Sequence, residues 1–224
     1  MKISETIRSR KSVRAFKPDP VSKNVLGEIL ETAVRAPSAM NTQPWEFIVV
    51  GGDVLDKVKK ANGEKLASGV MPHSEHNVVG WGNDTVYRKR QVDLAIQIFQ
   101  LMDIQREDKE KRGQWMARGF RYFDAPATIV IVTDRVLEES APLLDLGAVM
   151  QNICLAALDH GLGTCIEDQG VMYPEVLREC CGIPDEKRII IAIAVGYPDQ
   201  DFPANKLESP RETVESITTW CGFD

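Results

Sequence analysis

Apolar residues recur at three- and four-residue spacing along much of the chain, and each such stretch predicts an amphipathic helix. In the clearest example Ser22 is the predicted N-cap and Val25 to Val34 supply the apolar face. Pro37 ends this helix because proline lacks the amide that continues the helical hydrogen-bond ladder. Further helices are predicted at 4–9, after an N-cap at Asp53, at 85–106 with a charged continuation to 118 as a second, exposed helix, at 142–160 and at 174–181.

Short apolar runs rich in β-branched residues lie between these helices and predict strands at 46–50, 124–133, 164–167 and 188–195. The run at 124–133 is apolar throughout, so this strand is expected to be covered on both faces. Alternating helices and strands by themselves favour a parallel α/β sheet. Residues 67–84 contain glycines and a proline without any period, and we interpret them as a lid or cleft edge.

Composition narrows the class of protein. A chain of 224 residues with 43% hydrophobic content is long enough for one domain with a proper core. The net charge of −6 argues against nucleic acid or an anionic membrane as the main partner. Five cysteines without a CxxC pair are typical of reduced thiols in a cytoplasmic protein. Neither a signal peptide nor an apolar run of about 18 residues is found, so no membrane segment is expected.

A local basic cluster contradicts the acidic balance of the chain. Five cations lie between residues 6 and 18 without any acid, namely Arg8, Arg10, Lys11, Arg14 and Lys17. Because apolar residues interleave with them, the segment is expected to pack against the protein while presenting cations to an anionic ligand. The chain has neither G-x-G-x-x-G nor a Walker lysine, so a bound phosphate needs side-chain donors. Guanidinium groups are best suited, and Arg10 and Arg211 are the candidates.

The stretch 36–50, APSAMNTQPWEFIVV, connects a helix end to a predicted strand. Its short polar side chains bind their own backbone or a ligand equally well, and Trp45 closes the turn. On residue types alone, a structural connection is the favoured interpretation. His73 and His76 lie in the unpatterned loop without supporting ligands, so they are interpreted as solvent-exposed and no metal site is predicted.

Four motifs in order carry a family resemblance: RSRKSVRAF at 8–16, APSAMNTQPW at 36–45, GLGTCIE at 161–167 and NKLESPR at 205–211. Together they resemble the FMN-dependent nitroreductase superfamily from residue 7 to about 214. Residues 118–126, RGFRYFDAP, are similar to the nitrobenzoate and nitroarene reductase subgroup.

This resemblance implies an α+β fold, a three-layer α/β/α arrangement with a mixed, largely antiparallel central sheet, and a domain-exchanged homodimer. We adopt it over the parallel sheet. It also implies a single FMN-binding domain over 1–224, in which 198–224 form a C-terminal extension that embraces the partner subunit. The expected anchors of that extension are Phe202, Leu207, Ile217 and Trp220.

The resemblance further implies the cofactor-binding residues. Arg10 and Arg211 would grip the FMN phosphate, with Lys11 and Ser12 assisting and Lys206 as a further candidate. Arg14 would place a cation at the N1 and O2 edge of the flavin, where it stabilises the reduced form. The partner subunit would contribute the residues of the hinge, which are Pro37, Ser38, Ala39 and Asn41.

The resemblance implies that Glu167 and Asp168 lie at the N5 edge of the flavin, and that Cys165 and Ile166 before them also bind the cofactor. The backbone amide after Glu167 is the expected donor to N5. Many relatives have a small residue at the position of Asp168, so the local electrostatics of this chain differ from theirs.

The implied reaction is the reduction of nitroaromatic compounds by NADH or NADPH in a ping-pong hydride transfer, for which no catalytic side chain is required. The expected substrate contacts are aromatic, namely Trp81, Phe120, Tyr122 and Phe123, although core packing is an equal alternative for Phe123. The same flavin acting on enones, quinones or halogenated phenols stays open as a second hypothesis. An anion- or RNA-binding module that uses residues 8–17 is a third, which the net charge disfavours.

Overall fold

A four-stranded sheet forms the centre of the computed structural model, which describes residues 2–223. Its strands are β1 (Glu46–Gly51), β2 (Ala127–Asp134), β3 (Gly163–Glu167) and β4 (Lys187–Gly196). They are ordered β1-β2-β4-β3, and each neighbouring pair is antiparallel. The antiparallel sheet confirms the α+β prediction. The parallel sheet favoured by the alternation of elements is wrong, because alternation records the order of elements and not the direction of the strands.

Eight α-helices surround this sheet within the described residues: α1 (Ile3–Ser9), α2 (Lys23–Ala33), α3 (Gly52–Ala67), α4 (Val86–Leu101), α5 (Lys109–Gly119), α6 (Leu143–Asp159), α7 (Pro174–Cys181) and α8 (Val214–Ile217). Ser22 caps α2 by accepting from the amide of Val25 at 3.2 Å, as predicted. Pro174 begins α7 and Gly182 ends it in the left-handed conformation, also as predicted. The predicted cap at Asp53 is wrong, because α3 follows β1 directly and Asp53 lies in its first turn.

The sheet is covered on both faces, which gives the three-layer arrangement. Along β2, Val130 and Val132 belong to one buried cluster, whereas Ile129 and Ile131 belong to the other. Helices α2 and α6 pack on the second face, and α3 and α7 contribute to the first. Because alternate residues of a strand point to opposite faces, this continuous apolar run fills both cores.

The basic segment lies alongside β3 as an irregular additional strand. Ser12 forms an isolated parallel bridge with Thr164, and the amide of Val13 donates to the carbonyl of Thr164 at 2.9 Å. Further along, the amide of Lys17 donates to the carbonyl of Tyr197 at 2.8 Å. This isolated bridge is parallel, whereas the four named strands pair only antiparallel, so the largely antiparallel sheet is confirmed and its mixed character stays a prediction.

The segment after β4 returns to the same edge. A 3₁₀ turn, Pro203–Lys206, is followed by Leu207, which is buried in the core of its own chain. The guanidinium of Arg118 lies 4.9 Å above the ring of Phe202. Phe202 and Leu207 therefore pack at least partly on their own chain, and this placement gives no support to their role as anchors on a partner, which stays a prediction.

The loop between α3 and α4 is anchored at its middle. The carboxylate of Glu75 accepts from Arg178 Nη2 at 2.7 and 2.9 Å and from the amide of Ile189 at 2.7 Å. The first half of the predicted lid is thus tied to the sheet, whereas residues 77–84 in the second half are exposed. Of the helices in residues 2–223, none combines the length and the apolar content that crossing a bilayer requires.

Candidate functional site

A cavity of about 910 Å³ opens where the end of α1, strand β3 and the C-terminal segment meet. It is lined by residues 7–12, Gln151, Ile166, 207–209 and Arg211. Five of the predicted cofactor residues are among them: Arg10, Lys11, Ser12, Ile166 and Arg211. The structure thus brings together residues from opposite ends of the sequence, as the prediction required.

The charge of this cavity is strongly positive. Arg8, Arg10, Lys11 and Arg211 supply four cations, against the single carboxylate of Glu208. Guanidinium and ammonium groups that line a concave surface attract and orient an anion, and the paired N–H groups of arginine match phosphate oxygens. The donor set therefore fits a phosphate-bearing ligand that is held by side chains in place of a glycine-rich loop.

Asn205 holds the basic segment in position. Its Oδ1 accepts from the amide of Arg14 at 2.6 Å, and its Nδ2 donates to the carbonyls of Ala15 and Asp199, both at 2.8 Å. Arg118 adds a hydrogen bond from its Nη2 to the carbonyl of Arg14 at 3.2 Å. Sequence reasoning missed both supporting roles, although Asn205 opens the NKLESPR motif and Arg118 opens RGFRYFDAP.

Two predicted cationic residues do not line the cavity. Arg14 is half-buried beside it, and its Nη1 donates to the carbonyl of Ser12 at 3.3 Å. Lys206 is exposed on the 3₁₀ turn and lies outside the lining. The structure thus supports a position near the cavity for Arg14 and gives no support to a contact by Lys206.

The residues of β3 divide between the two faces of the strand. Ile166 lines the cavity, whereas Cys165 belongs to the core cluster on the opposite face. Burial raises the pKa of the Cys165 thiol to about 12. Burial also raises the pKa of the Glu167 carboxyl well above its ordinary value, against the lowering effect of the hydrogen bond from the Gly170 amide, and the nearby charge of Asp168 adds to the rise. The Cys165 and Glu167 side chains thus point away from the cavity, and a contact by the backbone after Glu167 stays a prediction.

The hinge at 37–43 lies elsewhere on the chain. The amide of Ala39 donates to both carboxylate oxygens of Asp145 at 3.2 Å, and the amide of Gln43 donates to Ser38 Oγ at 3.0 Å. Met40 has a left-handed backbone and a side chain that is 96% exposed. A second cavity of about 430 Å³ includes Ala39 but none of the basic residues. On one chain the predicted cofactor residues therefore form two separate groups.

The predicted substrate aromatics are mostly internal. Phe120, Tyr122 and Phe123 are 5%, 0% and 7% exposed, and the hydroxyl of Tyr122 donates to the carbonyl of Gly170 at 2.7 Å. Their rings are thus used in the core, and their placement gives no support to stacking on a substrate. Trp81 is 36% exposed and its indole N–H donates to Gln91 at 3.3 Å, so its ring remains accessible.

The loop histidines differ from each other. His73 is exposed, whereas the side chain of His76 is largely enclosed, with its Nδ1 3.7 Å from a carboxylate oxygen of Glu139. The expectation that both are solvent-exposed is therefore wrong for His76. Within residues 2–223, no group of three or more His, Cys, Asp or Glu side chains has the arrangement of a metal site.

The fold and this cavity define an α+β protein with a cationic cavity at the edge of an antiparallel sheet. The model of the nitroreductase family matches residues 7–197. The chain belongs to the nitroreductase family, and it is therefore an oxidoreductase. This membership confirms the family predicted from the four motifs.

Individual relatives extend over nearly the whole chain. The nitrobenzene nitroreductase of Ectopseudomonas oleovorans is 32% identical over 221 residues, which cover 97% of this chain and 96% of the relative. The 4-nitrobenzoate reductase of Pseudomonas putida is 30% identical over 220 residues, which cover 97% and 95%. The crystal structure of the FMN and NADPH-dependent nitroreductase NfnB from Sphigopyxis sp. strain HMH has a TM-score of 0.94 and 28% identity, with 100% of both chains covered.

Proposed function

We propose that this protein is an FMN-dependent oxidoreductase that uses NADH or NADPH to reduce nitroaromatic compounds in a ping-pong reaction. One observation carries the proposal: the cationic cavity is lined by the residues that the motifs select for the phosphate of FMN. The names of the relatives at about 30% identity point to nitroarenes as the substrate class.

The donor set of the cavity fits FMN. Arg10 and Arg211 lie near opposite ends of the sequence but line the same cavity, and they would bind the phosphate, with Lys11 and Ser12 beside them. Arg14, held by Asn205 and Arg118, would fix a cation next to the ring system. When bound, FMN supplies the group that accepts and donates the hydride. The side chains of the protein bind and orient it, and they place positive charge where reduction adds electrons.

We further propose that the working form is a homodimer in which the hinge residues, including Ser38, Ala39 and Asn41, complete the cofactor site of the partner. Two features support this. The hinge does not line the cavity of its own chain, and the apolar side chains of Met40, Ile217 and Trp220 are 96%, 70% and 65% exposed. Because Leu207 already packs on its own chain, the segment that embraces the partner begins after it.

A subunit-mixing experiment tests this arrangement. A subunit with Arg10→Ala and a subunit with the hinge change Asn41→Ala should each bind FMN weakly as homodimers. In a mixed dimer, one of the two sites combines the intact Arg10 with the intact hinge and should regain FMN. A mixed dimer without any recovered site would contradict the shared site, and a monomer by light scattering would contradict the dimer.

The proposed substrate contact involves a single aromatic residue of the four that were predicted. Trp81 is the remaining aromatic candidate for stacking on the substrate, since the other three rings are internal. Enones, quinones and halogenated phenols are the alternative acceptors. The five cysteines are all unpaired, which supports a reducing compartment, and we propose the cytoplasm.

The deciding experiment is a visible absorption spectrum of the purified protein, recorded before and after anaerobic NADPH or NADH and again after a nitrobenzoate. A flavin spectrum that bleaches and then recovers supports cofactor, reductant and acceptor together. Recovery only with quinones or enones would replace the substrate class. A protein that stays colourless after addition of FMN would overturn the proposal.

Two variants connect the spectrum to the cavity. Arg10→Ala and Arg211→Ala each remove charge-assisted hydrogen bonds worth about 1.5 to 3 kcal/mol, so FMN affinity should fall by roughly 10- to 100-fold. Arg35→Ala, an exposed arginine outside the cavity, is the matched control. Equal affinity in all three variants would show that the cavity is not the phosphate site.

A further inference from the structure

A buried polar cluster surrounds Gly170 on the face of β3 opposite the cavity. Asn62 from α3 donates through Nδ2 to the carbonyls of Phe120 at 3.0 Å and Gly170 at 3.5 Å. Tyr122 donates to the carbonyl of Gly170, and the amide of Gly170 donates to Glu167 Oε2 at 2.9 Å. A Cβ on Gly170 would lie 2.5 Å from Glu167 Oε1 and 2.2 Å from the ring of Tyr122, so only glycine fits at the centre.

Two oxygen atoms of this cluster lack a hydrogen-bond partner among residues 2–223. They are Glu167 Oε1 and Asn62 Oδ1, both of which are buried. Reversing the amide of Asn62 does not help, because Oδ1 would then face the two carbonyls that Nδ2 now contacts. Buried oxygen atoms without a hydrogen-bond donor are rare and lower the stability of a protein. When Glu167 is ionised, the side chains of the cluster carry one hydrogen too few to give these two oxygen atoms a hydrogen bond.

Protonation of Glu167 supplies that hydrogen. A protonated carboxyl is a donor through one oxygen and remains an acceptor through the other, which matches the bond from the Gly170 amide. The surroundings favour this form, since among the described residues no cation contributes to the pKa of the carboxyl and burial raises it.

We propose that Glu167 is a neutral carboxylic acid in the folded protein, that its Oε1–H donates to Asn62 Oδ1 directly or through one enclosed water, and that it acts as a positioning residue for the wall of the cavity. The position follows from the strand, because Ile166 lines the cavity immediately before Glu167. This role at the wall rests on the proposed function. A neutral Glu167 holds the turn after β3 through its bond with the Gly170 amide, and it adds no negative charge next to the proposed flavin site, where reduction itself adds negative charge.

The groups that face Glu167 leave it as the titrating member of the buried cluster. The pKa of Tyr122 is raised well above its ordinary value by burial, and burial raises those of Cys165 to about 12 and Cys181 to about 11. These groups stay neutral between about pH 5 and about pH 8. The remaining neighbours are Cys180, beside Tyr122, and Asp168, whose charge further favours the protonated form of Glu167.

Infrared spectroscopy of the unaltered protein is the first test. At about pH 7 the exposed carboxyl groups are ionised, so a C=O band of a protonated carboxyl should come from Glu167. We expect this band in the parent, with and without FMN, and its loss in Glu167→Gln. A parent protein without the band would overturn the proposal, and this measurement does not depend on whether the variant folds.

The pH dependence of unfolding is the second test. A folded pKa above the unfolded one means that the folded state binds the proton more tightly, so this contribution is complete below about pH 4.5 and is lost as the pH rises. Relative to Glu167→Gln, the unfolding equilibrium constant of the parent should rise by up to about tenfold per pH unit until Glu167 ionises. The exposed control Glu31→Gln should track the parent, and a pH-independent gap for Glu167→Gln would contradict the proposal.

Affinity for FMN separates this proposal from the proposed function. Glu167→Gln keeps both a donor and an acceptor and should retain FMN affinity, whereas Asn62→Leu removes the acceptor and should weaken it. A protein that binds FMN but lacks the infrared band refutes only the neutral carboxyl. A protein with the band that never binds FMN refutes the flavin function and keeps the carboxyl assignment.

Discussion

Replacing Asn205 with alanine should destabilise the protein and loosen the proposed phosphate site together. Asn205 is 3% exposed, and its amide connects the C-terminal 3₁₀ turn to the basic segment at the other end of the chain. The change removes three hydrogen bonds, to Arg14, Ala15 and Asp199. It leaves the amide of Arg14 without this acceptor, whereas the carbonyl of Ala15 keeps its bond from the amide of Asp199 at 3.1 Å.

The magnitude follows from this count. Three hydrogen bonds at about 1 kcal/mol each, with a further penalty of about 1 to 2 kcal/mol for the Arg14 amide that loses its acceptor, lower the free energy of unfolding by about 4 to 5 kcal/mol. A domain is typically stable by about 5 to 15 kcal/mol, so the variant should fold but with a much lower midpoint.

Urea unfolding followed by circular dichroism measures the change, provided that the slope with denaturant is the same in both proteins. Asn152→Ala is the matched control, because Asn152 makes one hydrogen bond, to the carbonyl of Ala33 at 3.2 Å, and should cost about 1 kcal/mol. FMN affinity at low temperature, where both variants are folded, should fall for Asn205→Ala and not for Asn152→Ala.

The reasoning would be refuted by equal losses of stability in the two variants. It would also be refuted if Asn205→Ala lost several kcal/mol but bound FMN as tightly as the parent. The second result would mean that the basic segment keeps its position without Asn205.

Three further predictions concern other contacts. Burial raises the pKa of Cys165 to about 12, so this thiol should resist a thiol reagent at about pH 8 until the protein is unfolded. The exposed Cys221 should react at once. Peptide mapping that finds equal labelling of the two would contradict this prediction. Glu75→Ala removes the hydrogen bonds of this carboxylate with Arg178 and with the amide of Ile189, and leaves Arg178 with Asp185 at 3.8 Å as its remaining carboxylate. It should cost about 3 kcal/mol in urea unfolding, whereas Glu64→Ala, in an exposed pair, should cost less than about 1 kcal/mol. Gly163→Ala places a Cβ 2.5 Å from Val13 Cγ2, so it should destabilise the protein and weaken FMN binding. Gly63→Ala, where a Cβ has open space, should be neutral or stabilising. Equal behaviour of the two variants would disprove the close packing of the basic segment on β3.

Features that depend on neighbouring residues were predictable from the sequence. The cap at Ser22, the start of α7 at Pro174 and its end at Gly182 each rest on backbone groups within a few positions. The two-sided burial of β2 followed from its unbroken apolar run. The absence of a glycine-rich loop selected Arg10 and Arg211, which line the same cavity, and their contact with a phosphate stays a prediction.

Features that depend on distant contacts were not predictable in this way. Tyr122 was taken for a substrate contact, but its hydroxyl bonds to Gly170, 48 positions away, and the ring is enclosed. The role of Asn205 depends on Arg14, which is 191 positions away. The order and direction of the strands have the same origin, since β4 inserts between β2 and β3 although it follows both in the chain, and it runs antiparallel to each of them.

Most residues that line the cavity come from two segments near the ends of this chain, residues 7–12 and 207–211. Translation produces residues 7–12 early and residues 207–211 late, so the site cannot exist on the nascent chain until Arg211 has been synthesised. Loading with a cofactor therefore follows the synthesis of Arg211. A ligand that contacts both segments stabilises them against local unfolding from either terminus. A chain that ends a few residues before Arg211 should therefore no longer bind the cofactor, while its sheet stays intact.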